Sequence, residues 1–144
     1  LTYSPWADVA ERHPGVHVHR CAIAPVNGAW VASERIILLS DELDMAGRRC
    51  TLAHEIAHID LRHAAQSGWF GTRSERDADR LAAARLLEDV DEIADALCVH
   101  PLHPELAAEH LGVTVRVLRR RLANLTATEK EHVEQRLAAR EDGA

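Results

Sequence analysis

At Asp44 the spacing of apolar residues changes period and does not change back, which leaves few architectures open to the chain. Upstream, Val16 to Arg20 alternates with Val16 and Val18 on one face, and Arg35-Ile36-Ile37-Leu38-Leu39 is a short apolar run; both are strand patterns. The unbroken second run implies burial on both faces or cover by a helix. Downstream, Leu52, Ile56 and Ile59, or else Ala53, Ala57 and Leu61, recur at helical spacing within one helix expected from about Asp44 to His63. Strands confined to the first forty residues, with helices after them, predict an α+β fold in which a small N-terminal sheet packs on a mainly helical domain. Composition agrees: with three Trp, one Tyr and one Phe, the core falls to Leu, Ala, Val and Ile, which suits close helix packing.

Local signals divide the chain further. Ser4-Pro5 is a helix start, and His13-Pro14-Gly15 ends that helix after about Arg12. Asn27-Gly28, between Ala24-Pro25-Val26 and Ala29-Trp30-Val31, is the strongest hairpin-turn signal. Gln66-Ser67-Gly68-Trp69-Phe70-Gly71 is expected to break the long helix, and Thr72 with Glu75, or Ser74 with Asp77, to cap the next, with Ala78, Leu81, Ala82, Leu86 and Leu87 inward. A short helix is expected around Glu92 to Leu97, then a connector bounded by Pro101 and Pro104, and a last helix near Thr126 capped with the help of Glu129.

With 144 residues, 47% of them hydrophobic, one core is supported; we expect a core domain over 1–100 and a helical extension over 101–144. A net charge of −6 argues against whole-surface nucleic-acid binding and leaves a local basic patch open. Three widely spaced cysteines without a CxxC read as reduced thiols of a cytoplasmic protein. No apolar run approaches the roughly 18 residues of a membrane span, so no membrane association is expected.

The chemistry concentrates in His54-Glu55-Ile56-Ala57-His58. On a helix, a spacing of four puts both imidazoles on one face, where they can hold one Zn2+ with Glu55 beside it. Two exposed histidines at this spacing also occur without a metal. A catalytic zinc needs a third protein ligand and an open position for water. Glu75, seventeen residues after His58, is the best supplier, with Asp77 the alternative ligand. Asp79, four residues after Glu75, can reach the back of the site and accept a hydrogen bond from a ligand histidine, most simply His54. All three acids would equally suit a solvated first turn of a helix. Under the metal reading, Glu55 is the general base of a zinc-dependent peptide hydrolysis. The group that stabilises the oxyanion is left open among His63, His100, His103 and Tyr3, and the Arg35–Leu39 strand is a candidate edge for extended substrate.

Thr51-Leu52-Ala53-His54-Glu55-Ile56-Ala57-His58, with Glu75-Arg76-Asp77-Ala78-Asp79-Arg80-Leu81-Ala82 downstream, resembles the ImmA/IrrE metallopeptidases, zincins whose third ligand is the glutamate of a Glu-x-x-x-Asp pattern. The similarity runs from about Tyr3 to Leu125. It implies a cytoplasmic zinc endopeptidase that acts on a regulatory, repressor-type DNA-binding protein and so bears on transcription. Two departures stand out: Leu81 replaces a common aromatic, which touches packing, and Leu86-Leu87 runs into Glu88-Asp89 instead of a Leu-Leu-x-Pro segment at the rim of the cleft.

Residues 105–122 look like a helix-turn-helix, with Ala108, Gly112 and Leu118 at the small, turn and buried positions. Thr114 would cap a second helix whose Arg116, Arg119 and Arg120 are candidate contacts to nucleic acid or to a partner. The acidic residues Glu129, Glu131 and Glu134 that follow weigh against a duplex. Besides the peptidase, two readings therefore stand: a DNA-binding regulator, and a zinc-stabilised interaction module without turnover.

Overall fold

The computed structural model describes residues 2–63 and 68–143, over 68–72 as backbone alone. It opens with helix α1 (Pro5–Arg12), whose first turn is capped by Ser4 with Pro5 at the first helical position. Three strands follow, β1 (His17–Cys21), β2 (Gly28–Val31) and β3 (Ile36–Ser40), and they form one sheet in the order β1-β3-β2. β3 pairs parallel with β1, placing His17 opposite Ile36, and antiparallel with β2, placing Gly28 opposite Leu39.

Two expectations for this sheet fail. β3 is the central strand, so it offers no free edge to a substrate; that edge belongs to β2. The hairpin expected across Asn27-Gly28 does not form, since 24–27 is not a strand; β2 instead makes a hairpin with β3, whose turn lies at 32–35, where Arg35 adopts φ 53. Gly28 serves a different purpose: a Cβ there would lie 2.5 Å from Thr51 Cγ2 and 2.9 Å from the Leu38 carbonyl oxygen. Close approach of β2 to the following helix therefore requires glycine, and the turn signal of Asn-Gly was a packing requirement instead.

Helix α2 (Met45–Asp60) starts at Asp44, whose Oδ1 accepts a hydrogen bond from Gly47 N at 2.7 Å. It ends before the expected His63 because Arg62, at φ 58, turns the chain back, and His63 N donates to the His58 carbonyl at 2.9 Å. Both alternative apolar stripes of α2 are used, except that Leu61, just past the helix end, is exposed. Leu52 and Ile56 pack with Val9, Val16, Ile37 and Leu39 against the sheet, while Cys50, Ala53 and Ala57 pack with Ala78, Ala82, Leu86, Ile93 and Leu118 in a helical core. The apolar run of β3 is accordingly covered on one face: Ile37 and Leu39 are buried, whereas Ile36 and Leu38 are half-buried. Each fully buried Leu or Ile contributes roughly 1.5–3 kcal/mol of transfer free energy.

Helix α3 (Gly68–Leu86) begins earlier than expected, so 68–71 belongs to the helix and neither Thr72 nor Ser74 is its cap; Gln66 and Ser67 lie outside the described residues. Helix α4 (Val90–Val99) is capped by Asp89. Helices α5 (Pro104–Leu111) and α6 (Val115–Ala123) form the helix-turn-helix, with Gly112 in the left-handed region at φ 69 and Thr114 Oγ1 accepting from Val117 N. Both pack into the helical core through Ala107, Ala108, Val113 and Leu118. Helix α7 (Ala127–Asp142) begins with the expected Thr126–Glu129 capping box. The same Glu129 receives a forked pair of hydrogen bonds from the buried Arg121, at 2.7 and 3.2 Å, and Arg121 Nε donates to the Leu87 carbonyl at 2.8 Å, joining α3, α6 and α7. Among the described residues no helix is long and apolar enough to cross a membrane.

Candidate metal centre

The two stripes of α2 leave a third face to His54 and His58, and α3 crosses it. There His54 Nε2 and His58 Nε2 lie 3.1 Å apart, and Glu75 of α3 closes the group, with Oε2 at 2.9 Å from His54 Nε2 and Oε1 at 3.0 Å from His58 Nε2. One donor atom from each residue lies within 4.8 Å of the others. Asp77 is exposed and is not part of this group.

Asp79, one turn after Glu75, is 2.8 Å from His54 Nδ1 through Oδ1. Asp79 accepts from Nδ1–H, so that once Nε2 gives up its proton the lone pair lies on Nε2, the tautomer a metal requires; without an ion His54 is held protonated and Nε2 donates to Glu75. His58 has its own partner: its Nδ1 lies 3.0 Å from His63 Nδ1. Sequence reading had His63 only as a candidate electrophile; the left-handed Arg62 that folds it back leaves no mark in the sequence pattern. Two imidazole nitrogens and a carboxylate that converge, each histidine steadied from behind, are a donor set that fits a zinc ion once the bridging proton leaves.

The electrostatics are those of a crowded, partly dry site. Burial disfavours a charge on His54, but hydrogen bonds to Asp79 and Glu75 outweigh it and raise its pKa to about 10. Burial and the neighbouring His54 charge lower His58. The hydrogen bond from His54 holds Glu75 below the usual carboxylate range. Glu55 is 6% exposed, and burial, eased by His54 and reinforced by Glu75, pushes its carboxyl up to about 7. A carboxyl with that affinity for protons takes and returns them near neutral pH.

A cleft of about 530 Å³ runs past this group. It is lined by Asn27 and Gly28 at the start of β2, by Glu42 and Asp44, and by Thr114, Arg116, Val117 and Arg120 of the helix-turn-helix. None of Tyr3, His63, His100 or His103 lines it. Tyr3 OH instead donates to Asp8, and the ring of His100 stands against that of His110. Arg116 Nη2 is 2.8 Å from Asp79 Oδ2, and Arg120 Nη2 is 3.7 Å from the same oxygen.

A small mixed sheet on a mainly helical body, with a His/His/Glu cluster between its central helix and the next, defines a zincin-like α+β protein. Residues 11–123 match the Peptidase_M78 family model, described as the IrrE N-terminal-like domain, and the chain belongs to that family. No curated protein and no solved structure matches it.

Proposed function

We propose that the protein is a zinc-dependent endopeptidase that cuts a regulatory, repressor-type protein in the cytoplasm, with 1–100 as its catalytic core and 101–144 as an extension. The observation that carries this reading is the convergence of His54, His58 and Glu75 within 4.8 Å, beside the buried carboxyl of Glu55. His54, His58 and Glu75 hold a single Zn2+, and Asp79 and His63 fix the ligand tautomers. Bound zinc supplies Lewis acidity, polarising the scissile carbonyl and easing deprotonation of water. Glu55 takes the proton of the attacking water and returns it to the leaving amine nitrogen. The β2 edge, at Gly28 in the cleft wall, pairs with the extended substrate backbone.

The competing reading is a zinc-stabilised interaction module without turnover. Direct DNA binding by Arg116, Arg119 and Arg120 is disfavoured because Arg116 and Arg120 line the cleft. Elemental analysis and a repressor-cleavage assay on wild type, His54→Ala, Glu75→Ala and Glu55→Gln separate these. The peptidase reading requires one zinc per chain in wild type, loss of metal in the two ligand variants, and full metal without cleavage in Glu55→Gln. Retention of cellular function by Glu55→Gln would install the interaction module in its place.

A further inference from the structure

Helix α6 carries four arginines with three different surroundings. Arg121 is buried and committed to Glu129 and Leu87. Arg119 points outward, 3.9 Å from Glu105. Arg116 and Arg120, four residues apart, share the face turned to the cleft, and the ion pairs of both run to Asp79. That single carboxylate already serves His54 through its other oxygen. Two guanidinium groups thus share half of one counter-ion, on a wall made by a helix-turn-helix and not by the elements that hold the metal ligands.

We propose that Arg116 and Arg120 select the substrate by binding a carboxylate of the peptide, an inference that rests on the peptidase reading for the peptide itself. Arg116 is 73% exposed along its side chain, so its remaining N–H donors face the cleft's solvent. Guanidinium groups one helical turn apart offer planar, paired donors that match a carboxylate, and their positive charge strengthens binding of that anion as well as the hydrogen bonds do. The lining also includes the acidic Glu42 and Asp44, and Asp44 is engaged in capping α2. A carboxylate is therefore favoured beside Arg116 and Arg120 and disfavoured beside Glu42. Two sources share this chemistry, an Asp or Glu side chain and a free C-terminus.

A rival role is that Arg116 only steadies Asp79, and through it His54. Such a positioning residue would change zinc affinity and turnover while leaving peptide selectivity alone. The test is chosen to read selectivity directly.

The full chain is loaded with zinc and given Glu55→Gln so that bound peptides stay intact. Binding is followed by anisotropy with fluorescein-labelled decapeptides of neutral background that place Asp, Glu, Lys or Ala at each position in turn, with free or amidated C-termini. At one position Asp or Glu should bind roughly tenfold or more tightly than Lys. R116E/R120E should invert the preference, the neutral pair R116Q/R120Q should abolish it, and R119E on the outer face should leave it intact. An acidic preference that survives amidation assigns the carboxylate to a side chain; dependence on the free terminus assigns it to the C-terminus. Equal binding of acidic and basic peptides, or a preference unmoved in zinc-replete R116E/R120E, overturns the proposal. The same peptides offered to the chain with Glu55 intact separate the two readings. Cleavage without acidic preference sinks carboxylate selection and spares the peptidase, whereas acid-selective binding without cleavage does the reverse.

Discussion

Replacing Asp79 by Asn should harm zinc binding at least as much as replacing it by Ala, although Asn keeps the shape of the side chain. Asp79 accepts from His54 Nδ1 on one side and from Arg116 on the other, both at 2.8 Å, and its side chain is 16% exposed. A carboxylate can accept on both sides; a carboxamide can accept on one only. Arg116 has no acceptor to offer, so the amide oxygen of D79N turns to Arg116 and its NH2 faces His54. That arrangement favours a lone pair on Nδ1 and a proton on Nε2, the tautomer that cannot ligate. Loss of an orienting partner behind a metal ligand costs about 10- to 100-fold in affinity, or roughly 1.4–2.7 kcal/mol. Asp79→Ala, in which water can approach His54, belongs near the lower figure, and D79N near or beyond the upper one. Adding Arg116→Ala frees the amide to turn its oxygen to His54 and should recover most of the D79N loss. Competition for zinc against a chromophoric chelator at neutral pH measures all four proteins. Wild-type affinity in D79N, or tighter binding in D79N than in Asp79→Ala, would refute the tautomer argument.

Three further outcomes follow from other contacts. His63→Ala removes the partner of His58 Nδ1 at 3.0 Å and should weaken zinc binding by about tenfold in the same competition assay, the low end being expected because water can replace an imidazole there. Gly28→Ala puts a Cβ 2.5 Å from Thr51 Cγ2 and 3.5 Å from Glu55 Oε1; urea unfolding should show a loss of about 1–3 kcal/mol, partly restored by Thr51→Ser. Asp60, despite the opposing effect of burial, is held at about 2 by Arg12, Arg85 and His13. Because its folded pKa lies below its unfolded value, its stabilisation is present above roughly pH 4 and is lost as pH falls toward 2. Asp60→Asn should therefore be less stable than wild type by about 1 kcal/mol near neutrality after solvent screening, and the difference should vanish in acid unfolding curves.

The parts of this molecule that the chain announces are those fixed by local spacing. Four-residue spacing puts His54 and His58 on one face and Glu75 and Asp79 on another, and period alone separates the sheet from the helices. The Thr126–Glu129 box and the Gly112 turn are likewise local, and both are found where residue type places them. What escaped was set by contacts distant in sequence. β3 is central because β1, which precedes it by two strands, pairs with it in parallel, and no run of side chains records strand order. Gly28 is needed by Thr51, more than twenty residues away, and so it imitated a turn. α3 starts at Gly68 in a segment whose glycines argue for a break, while its packing against Ala53 and Ala57 is made further along, by Ala78 and Ala82. Most of all, the arginines of α6 looked like a surface for phosphates, and only the tertiary fold shows two of them turned into the cleft.

α2 belongs to both cores, with Leu52 and Ile56 in one and Ala53 and Ala57 in the other. Opening of either core alone leaves this helix packed on the other, so its central amides should be among the last to exchange with solvent. His54, Glu55 and His58 thus ride on the helix that both cores share, while Glu75 arrives from a neighbour that belongs to one of them. The fold holds two of the three candidate donors as a fixed anvil and brings the remaining carboxylate to it as a separate piece, from a helix that can shift without α2 melting.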